Sequence, residues 1–102
     1  MKKAQQRSPE IELIDSLSLN ELCRFCHVET QWVIELVEHG VLEPQGNRDE
    51  DWRFVGVNIA RARKAQRLRR DLGINAPGVA MVLDLIEQRD DLMRRLARYE
   101  AM

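Results

Sequence analysis

Residues 29–43 contain no lysine or arginine, although those two residue types number 16 in a chain of 102. Four glutamates, Glu29, Glu35, Glu38 and Glu43, stand in this stretch instead. Other absences narrow the function classes. No apolar run approaches the ~18 residues that a membrane span requires, and no apolar stretch follows Lys2 and Lys3, so neither a membrane anchor nor a secretory signal is expected. The cytoplasm follows, and with it reduced thiols, so Cys23 and Cys26 are not read as a structural disulfide. There is no G-x-S-x-G, no H-E-x-x-H and no glycine-rich phosphate loop. No catalytic constellation stands out, and the expectation is a protein that is not an enzyme and needs no cofactor. Internal repeats and low-complexity segments are also lacking.

The charges that are present are unevenly placed. Formal net charge is −1, so no global field draws the chain to nucleic acid or anionic lipid. Residues 29–51 nevertheless hold seven acids and one base (Arg48), a balance of −6. Residues 61–70 hold six bases (Arg61, Arg63, Lys64, Arg67, Arg69, Arg70) and no acid, a balance of +6. Such a dipolar chain suits a charged protein partner or a second copy of itself. Its length fits one domain, burying roughly 60–70% of the unfolded surface, enough for a modest core and too little for a deep enzymatic cleft.

Residues 1–16 are read as a flexible N-terminal extension, with a short edge strand possible at Ile11–Ile14. Residues 17–102 form the domain. Ser18 with Glu21 three residues later is a capping box, opening a helix whose apolar positions are Leu19, Leu22, Cys23, Phe25 and Cys26. His27-Val28-Glu29 makes a turn. Thr30 is placed as the cap of a second helix with Val33, Ile34, Leu36 and Val37 as its buried stripe, ended by Gly40. Val41–Pro44 and Asp51–Val55 read as two extended runs around a polar loop containing Gly46-Asn47, a β-hairpin. Trp52 and Phe54, two apart, point the same way.

A third helix runs from about Val57 to Leu72 and stops at Gly73. Ala62, Ala65, Leu68 and Leu72 fall on one side of it, and Arg63, Lys64, Arg67 and Arg70 on the other. The latter are read as solvated, or paired with acids of the last helix such as Asp84, Glu87 and Asp91. Asn75 caps the last helix, with Pro77 confined to its first turn. In this helix, Ala76 to Tyr99, the apolar residues sweep an arc of roughly 200°, against nearer 100° for packing on one neighbour. The surplus, including Val82, Leu85, Ile86, Leu92, Met93 and Leu96, is assigned to a homodimer interface within residues 76–100.

The whole is an all-α, winged helix-turn-helix domain with a small β-hairpin wing, a long C-terminal helix and a dimeric state. In a DNA-reading member of that architecture the second helix lies in the major groove against phosphates. Here it would bring negative charge to a polyanion, reversing the largest contribution to DNA affinity. A protein partner is expected instead. Trp32 lies outside the Val33/Leu36/Val37 stripe, so it is taken as an exposed aromatic anchor ringed by carboxylates. The candidate partner-binding residues are Trp32, Glu35, Glu38 and the acidic wing loop Asp49, Glu50 and Asp51.

Cys23-Arg24-Phe25-Cys26-His27 matches the haem-attachment string C-x-x-C-H. The capping box, however, puts both cysteines on a helix facing the core, where a thiol behaves as a small hydrophobe. With His39 the pair also mimics half a zinc finger, but Glu43 stands where a second histidine belongs. No metal site is assigned.

The order of helix-turn-helix, Gly40–Pro44, a wing with Trp52-Arg-Phe54, an arginine-rich helix and a long terminal helix is similar to the MerR superfamily. More narrowly, Glu43-Pro44, Trp52-x-Phe54, Ala65-Gln-Arg-Leu-Arg69, Leu72 and Pro77-Gly-Val-Ala80 resemble the CbpM family of bacterial chaperone-modulatory proteins, over about residues 17–100. The resemblance implies a small regulator that binds the J-domain of a DnaJ-like co-chaperone, CbpA. It would keep that co-chaperone from engaging DnaK and oppose its DNA binding. J-domains carry a basic helix that docks on DnaK, and an acidic surface here would compete for it. The alternative is a MerR-like transcriptional regulator that meets DNA through Arg48, Arg53 and the third-helix arginines. Residues 1–16 and the C-x-x-C depart from the family's pattern.

Overall fold

A computed structural model describes residues 16–101. The expected tail and edge strand at 1–15 lie outside the described residues. Within them are four α-helices: α1 (Leu19–Cys26), α2 (Thr30–Glu38), α3 (Gly56–Leu72) and α4 (Ala76–Glu100). The capping box opens α1 as its residues dictate: the Ser18 N–H donates to Glu21 Oε1 at 2.8 Å and the Glu21 N–H to Ser18 Oγ at 3.2 Å. His27 ends α1 in the left-handed region, at φ 59°. Gly40 (φ 77°) and Gly73 (φ 67°) take the same conformation just past α2 and α3, where a side chain would be strained. Asn75 caps α4 by accepting from the Gly78 N–H at 2.9 Å. One assignment moves: Glu29, not Thr30, precedes the first turn of α2, and no side chain caps that helix.

The helices enclose one core. α1 supplies Leu22, Cys23 and Cys26, α2 supplies Val33 and Leu36, α3 supplies Ile59, Ala62 and Ala65, and α4 supplies Ala76, Val79 and Leu83. α1 packs on α2 and α3, and α4 on α2 and α3. Phe54 is fully buried at the centre and meets Trp52 edge to face at 6.0 Å, as the two-residue spacing requires. Leu72, placed by periodicity on the buried side of α3, is instead exposed, in a groove with Leu68 and Ile86.

The wing differs from the expected hairpin. No strand forms among the described residues; one antiparallel bridge, Gln45 with Arg53, stands in for the ladder. The first run has no free N–H group to offer. The Val41 and Leu42 N–H groups already donate to the Leu36 carbonyl at the end of α2. The Glu43 N–H donates to Asn58 Oδ1 at 2.9 Å and its carbonyl accepts from Asn58 Nδ2 at 3.0 Å. Pro44 has no N–H. On the other side, Phe54 exchanges both backbone bonds with Leu17. Between the arms, Asp49–Asp51 coil into one 3-10 turn.

Candidate functional site

The acidic face is built from two pieces. α2 presents Glu35, half-buried, and Glu38, exposed, one turn apart. The 3-10 turn presents Asp49, Glu50 and Asp51, all exposed. No hydrogen bond or ion pair among the described residues links one piece to the other. The turn is held at its base by Gly46, whose φ of 108° and close approach to Asp51 leave no room for a Cβ: one would sit 2.7 Å from the Asp51 carbonyl oxygen. Arg48 lies across the turn, 3.3 Å from Glu50 and 3.9 Å from Asp51. Arg53 bonds Ser16 and lies 3.9 Å from Glu21. Both wing arginines are thus engaged within the chain.

Trp32 does not belong to this surface. It is 4% exposed and part of the core, which corrects its assignment as an exposed anchor. Four residues before Leu36, it shares that residue's buried face, and Arg69 reaches over its ring from α3. Its guanidinium lies 4.3 Å from the Trp32 ring centroid and makes a bidentate pair with Glu29, at 3.1 and 2.7 Å. Glu29 orients the guanidinium, and the guanidinium roofs the indole. Trp32 Nε1 is buried with no acceptor, so its ring is held by packing and the cation above it. The same contact revises the charge of α2. Glu29 is neutralised by Arg69, whose hydrogen bonds hold its carboxyl down at about 2, and the Arg69 charge also feels Glu35. Of the four acids of residues 29–43, Glu35, Glu38 and Glu43 have no ion-pair partner among the described residues, and Glu29 does.

Sequence reasoning missed Arg69 and Asn58. Arg69 was one member of a basic run, and the 40-residue separation from Glu29 leaves no local pattern. Asn58 is a buried polar side chain that clamps the Glu43 backbone, which joins the wing to α3; a polar residue on the core side of a helix was its sole signal.

The expected dimer residues lie on an uncovered helix face. Leu85, Leu92 and Leu96 are 56%, 60% and 50% exposed, with Ile86, Met93 and Tyr99 beside them. Val82 is half-buried, nearer the core. Among the described residues none of Arg63, Lys64, Arg67 and Arg70 pairs with an acid of α4; Glu87 pairs with Arg61, at 3.4 Å. Asp84 instead accepts from Gln88 and Asp91 pairs with Arg94 and Arg95, all within α4. Both thiols are buried on α1, and burial pushes the Cys26 thiol up to about 11. His27 and His39 are exposed at helix ends. No described group of three or more His, Cys, Asp or Glu is placed to hold a metal ion, and no described helix is long and apolar enough to cross a membrane.

Helix-turn-helix, tethered wing and protruding terminal helix define a regulatory class of fold, and a family model described as MerR HTH family regulatory protein matches residues 17–100. Relatives narrow it. A protein of Coxiella burnetii (strain Dugway 5J108-111) named chaperone modulatory protein CbpM is 39% identical over 90 residues, covering 88% of this chain and 85% of that one. Proteins of the same name in Pseudomonas entomophila (strain L48) and Pseudomonas putida (strain W619) are 35% and 33% identical, each over 88% of this chain and 96% of the relative. The chain belongs to the CbpM family of chaperone modulatory proteins, on the MerR helix-turn-helix scaffold.

Proposed function

We propose that this protein is an inhibitor of a DnaJ-like co-chaperone, CbpA: it binds the J-domain where DnaK would dock, and thereby also opposes the co-chaperone's DNA binding. The observation that carries this reading is the acidic α2. In a chain of the CbpM family, the helix that would enter a major groove offers Glu35 and Glu38 and no base. A basic docking helix is the complementary partner. Of the arginines the DNA-binding alternative would use, Arg48 and Arg53 contact Glu50, Asp51, Ser16 and Glu21, whereas Arg63 and Arg67 have no carboxylate partner among the described residues.

The contact surface in this reading is Glu35, Glu38 and the turn Asp49, Glu50 and Asp51, presented twice by a homodimer joined through α4. Charges of this kind, exposed at a rim, accelerate encounter more than they prolong residence. Reversal of Glu35 and Glu38 to lysine tests it. Association with the isolated J-domain should slow and lose most of its salt dependence, while the variant keeps the helicity of the parent. In parallel, the co-chaperone's stimulation of DnaK ATP hydrolysis should fall as this protein is added and recover with excess DnaK. Unchanged J-domain association by the folded double variant removes α2 from the interface. A site-specific duplex complex tighter than micromolar at physiological salt, with a steep salt slope, favours the DNA reading.

A further inference from the structure

We propose that the groove between the end of α1 and the middle of α3 is a second docking site, one that takes an acidic peptide segment between Arg63 and Arg67. The groove, about 400 Å³, is lined by Phe25 and His27 on one side and by Arg63, Gln66, Arg67 and Arg70 on the other. Positions 63, 67 and 70 of α3 recur at helical spacing and share one edge. Within the described residues, three of the α3 arginines have carboxylate partners: Arg61 with Glu87, Arg69 with Glu29 and Arg70 with Asp71. Arg63 and Arg67 have none. Arg63 lies 5.4 Å from the centre of the Phe25 ring, so its flat face is occupied while its N–H edge remains available. Arg67 acts through space on Asp71, which Arg70 bonds directly.

Guanidinium groups with free N–H edges select carboxylate or phosphate, because both accept two parallel hydrogen bonds. The observations favour carboxylates on a peptide over a nucleic acid. Two unpaired arginines neutralise about two phosphates, whereas duplex binding at physiological salt rests on roughly six to ten phosphate contacts. The half-buried Gln66 amide between the arginines can bond a peptide backbone, as a donor and an acceptor. No α4 residue lines the groove, so a second copy seated on α4 would not contribute to it. The site is also independent of the acidic face of α2, since its charges are of opposite sign and on other helices.

Fluorescence anisotropy with a labelled octaglutamate peptide and the full chain tests the proposal. Saturable binding is expected at low salt. Arg67→Glu should weaken it about tenfold and Arg67→Gln less, while Lys64→Glu, the same change of charge outside the groove, should alter it by less than about twofold. Glu35→Lys with Glu38→Lys should leave it in place, which separates failure of this site from failure of the J-domain reading. Absence of saturable binding at millimolar peptide overturns the proposal. So does equal weakening by Lys64→Glu, which reduces the effect to net charge. Equal affinity for an octathymidylate strand overturns the assignment to a peptide.

Discussion

The guanidinium of Arg69 lies over the indole of Trp32, its carbon 4.3 Å from the ring centre. Forty residues along the chain, Glu29 holds that guanidinium in place from the other end. The stack fastens the start of α2 to the last turns of α3. It converts what would be an apolar patch on the acidic face into a sealed corner of the core.

Arg69→Ala should therefore cost more than a surface arginine. A cation over a desolvated indole contributes roughly 1–2 kcal/mol, and its removal also opens the ring to water. In a Trp52→Phe background, the emission of Trp32 should move to longer wavelength and the urea midpoint should fall. Arg69→Lys should recover part of the loss, because lysine supplies the charge without the fork. An unchanged midpoint and spectrum for Arg69→Ala would show that packing alone holds the ring.

The Glu29–Arg69 pair has a pH signature. Arg69 hydrogen bonds depress the Glu29 carboxyl from about 4.5 to about 2 in the folded chain. Depression means stability: the contribution is complete above about pH 4.5 and is lost as pH falls toward 2. The stability difference between the parent and Glu29→Gln should be constant near neutrality and shrink through that window. Glu29 is largely solvent-exposed, so screening keeps the difference small. A difference independent of pH between 6 and roughly 2.5 would rule out this origin.

Along α4, Val82, Leu85, Arg89, Leu92, Leu96 and Tyr99 recur at alternating three- and four-residue intervals, the period of a two-helix seam. Leu85→Glu or Leu92→Glu should convert the proposed homodimer to monomer, since an unpaired charge buried in a seam costs several kcal/mol. Arg89, the one charged member, should act in the opposite sense: Arg89→Leu should tighten the dimer. Sedimentation velocity across a concentration series reads all three. A monomeric parent at micromolar concentration would sink this prediction.

Asn58 holds the backbone of Glu43 through two hydrogen bonds, at 2.9 and 3.0 Å. Asn58→Leu leaves both Glu43 groups unpaired, with roughly 1–3 kcal/mol lost for each buried one. Hydrogen exchange should accelerate at Glu43 and Gln45 more than in the body of α3. Uniform acceleration throughout the domain would mean that Asn58 serves general stability rather than the wing.

Local signals are legible in the sequence alone. The Ser18/Glu21 capping box, the glycines at 40 and 73 and Asn75 with Pro77 each act within a few residues of their own position, so they mark helix ends wherever the chain is placed. The wing was misread because the two runs have the right composition for strands, while their hydrogen-bonding groups are taken by Leu36, Asn58 and Leu17. Composition cannot reveal a competitor distant in sequence. Trp32 was misread on the wheel itself: it stands four residues before Leu36, which puts the two on one buried face, and only the Arg69 guanidinium over its ring comes from outside the helix.

By itself, the sequence determined four helices, the caps of α1 and α4, the apolar face of α4 that exceeds what one core can cover, and the absence of any base from α2. These follow from periodicity, capping chemistry and charge, which are properties of neighbouring residues. Tertiary structure alone decided which charges remain available. One arginine reaching from α3 paired with Glu29 and covered Trp32, while Arg63 and Arg67 have no carboxylate partner among the described residues. Charge is counted along a chain, but whether it is free to meet a partner is set by what the fold brings within 4 Å of it.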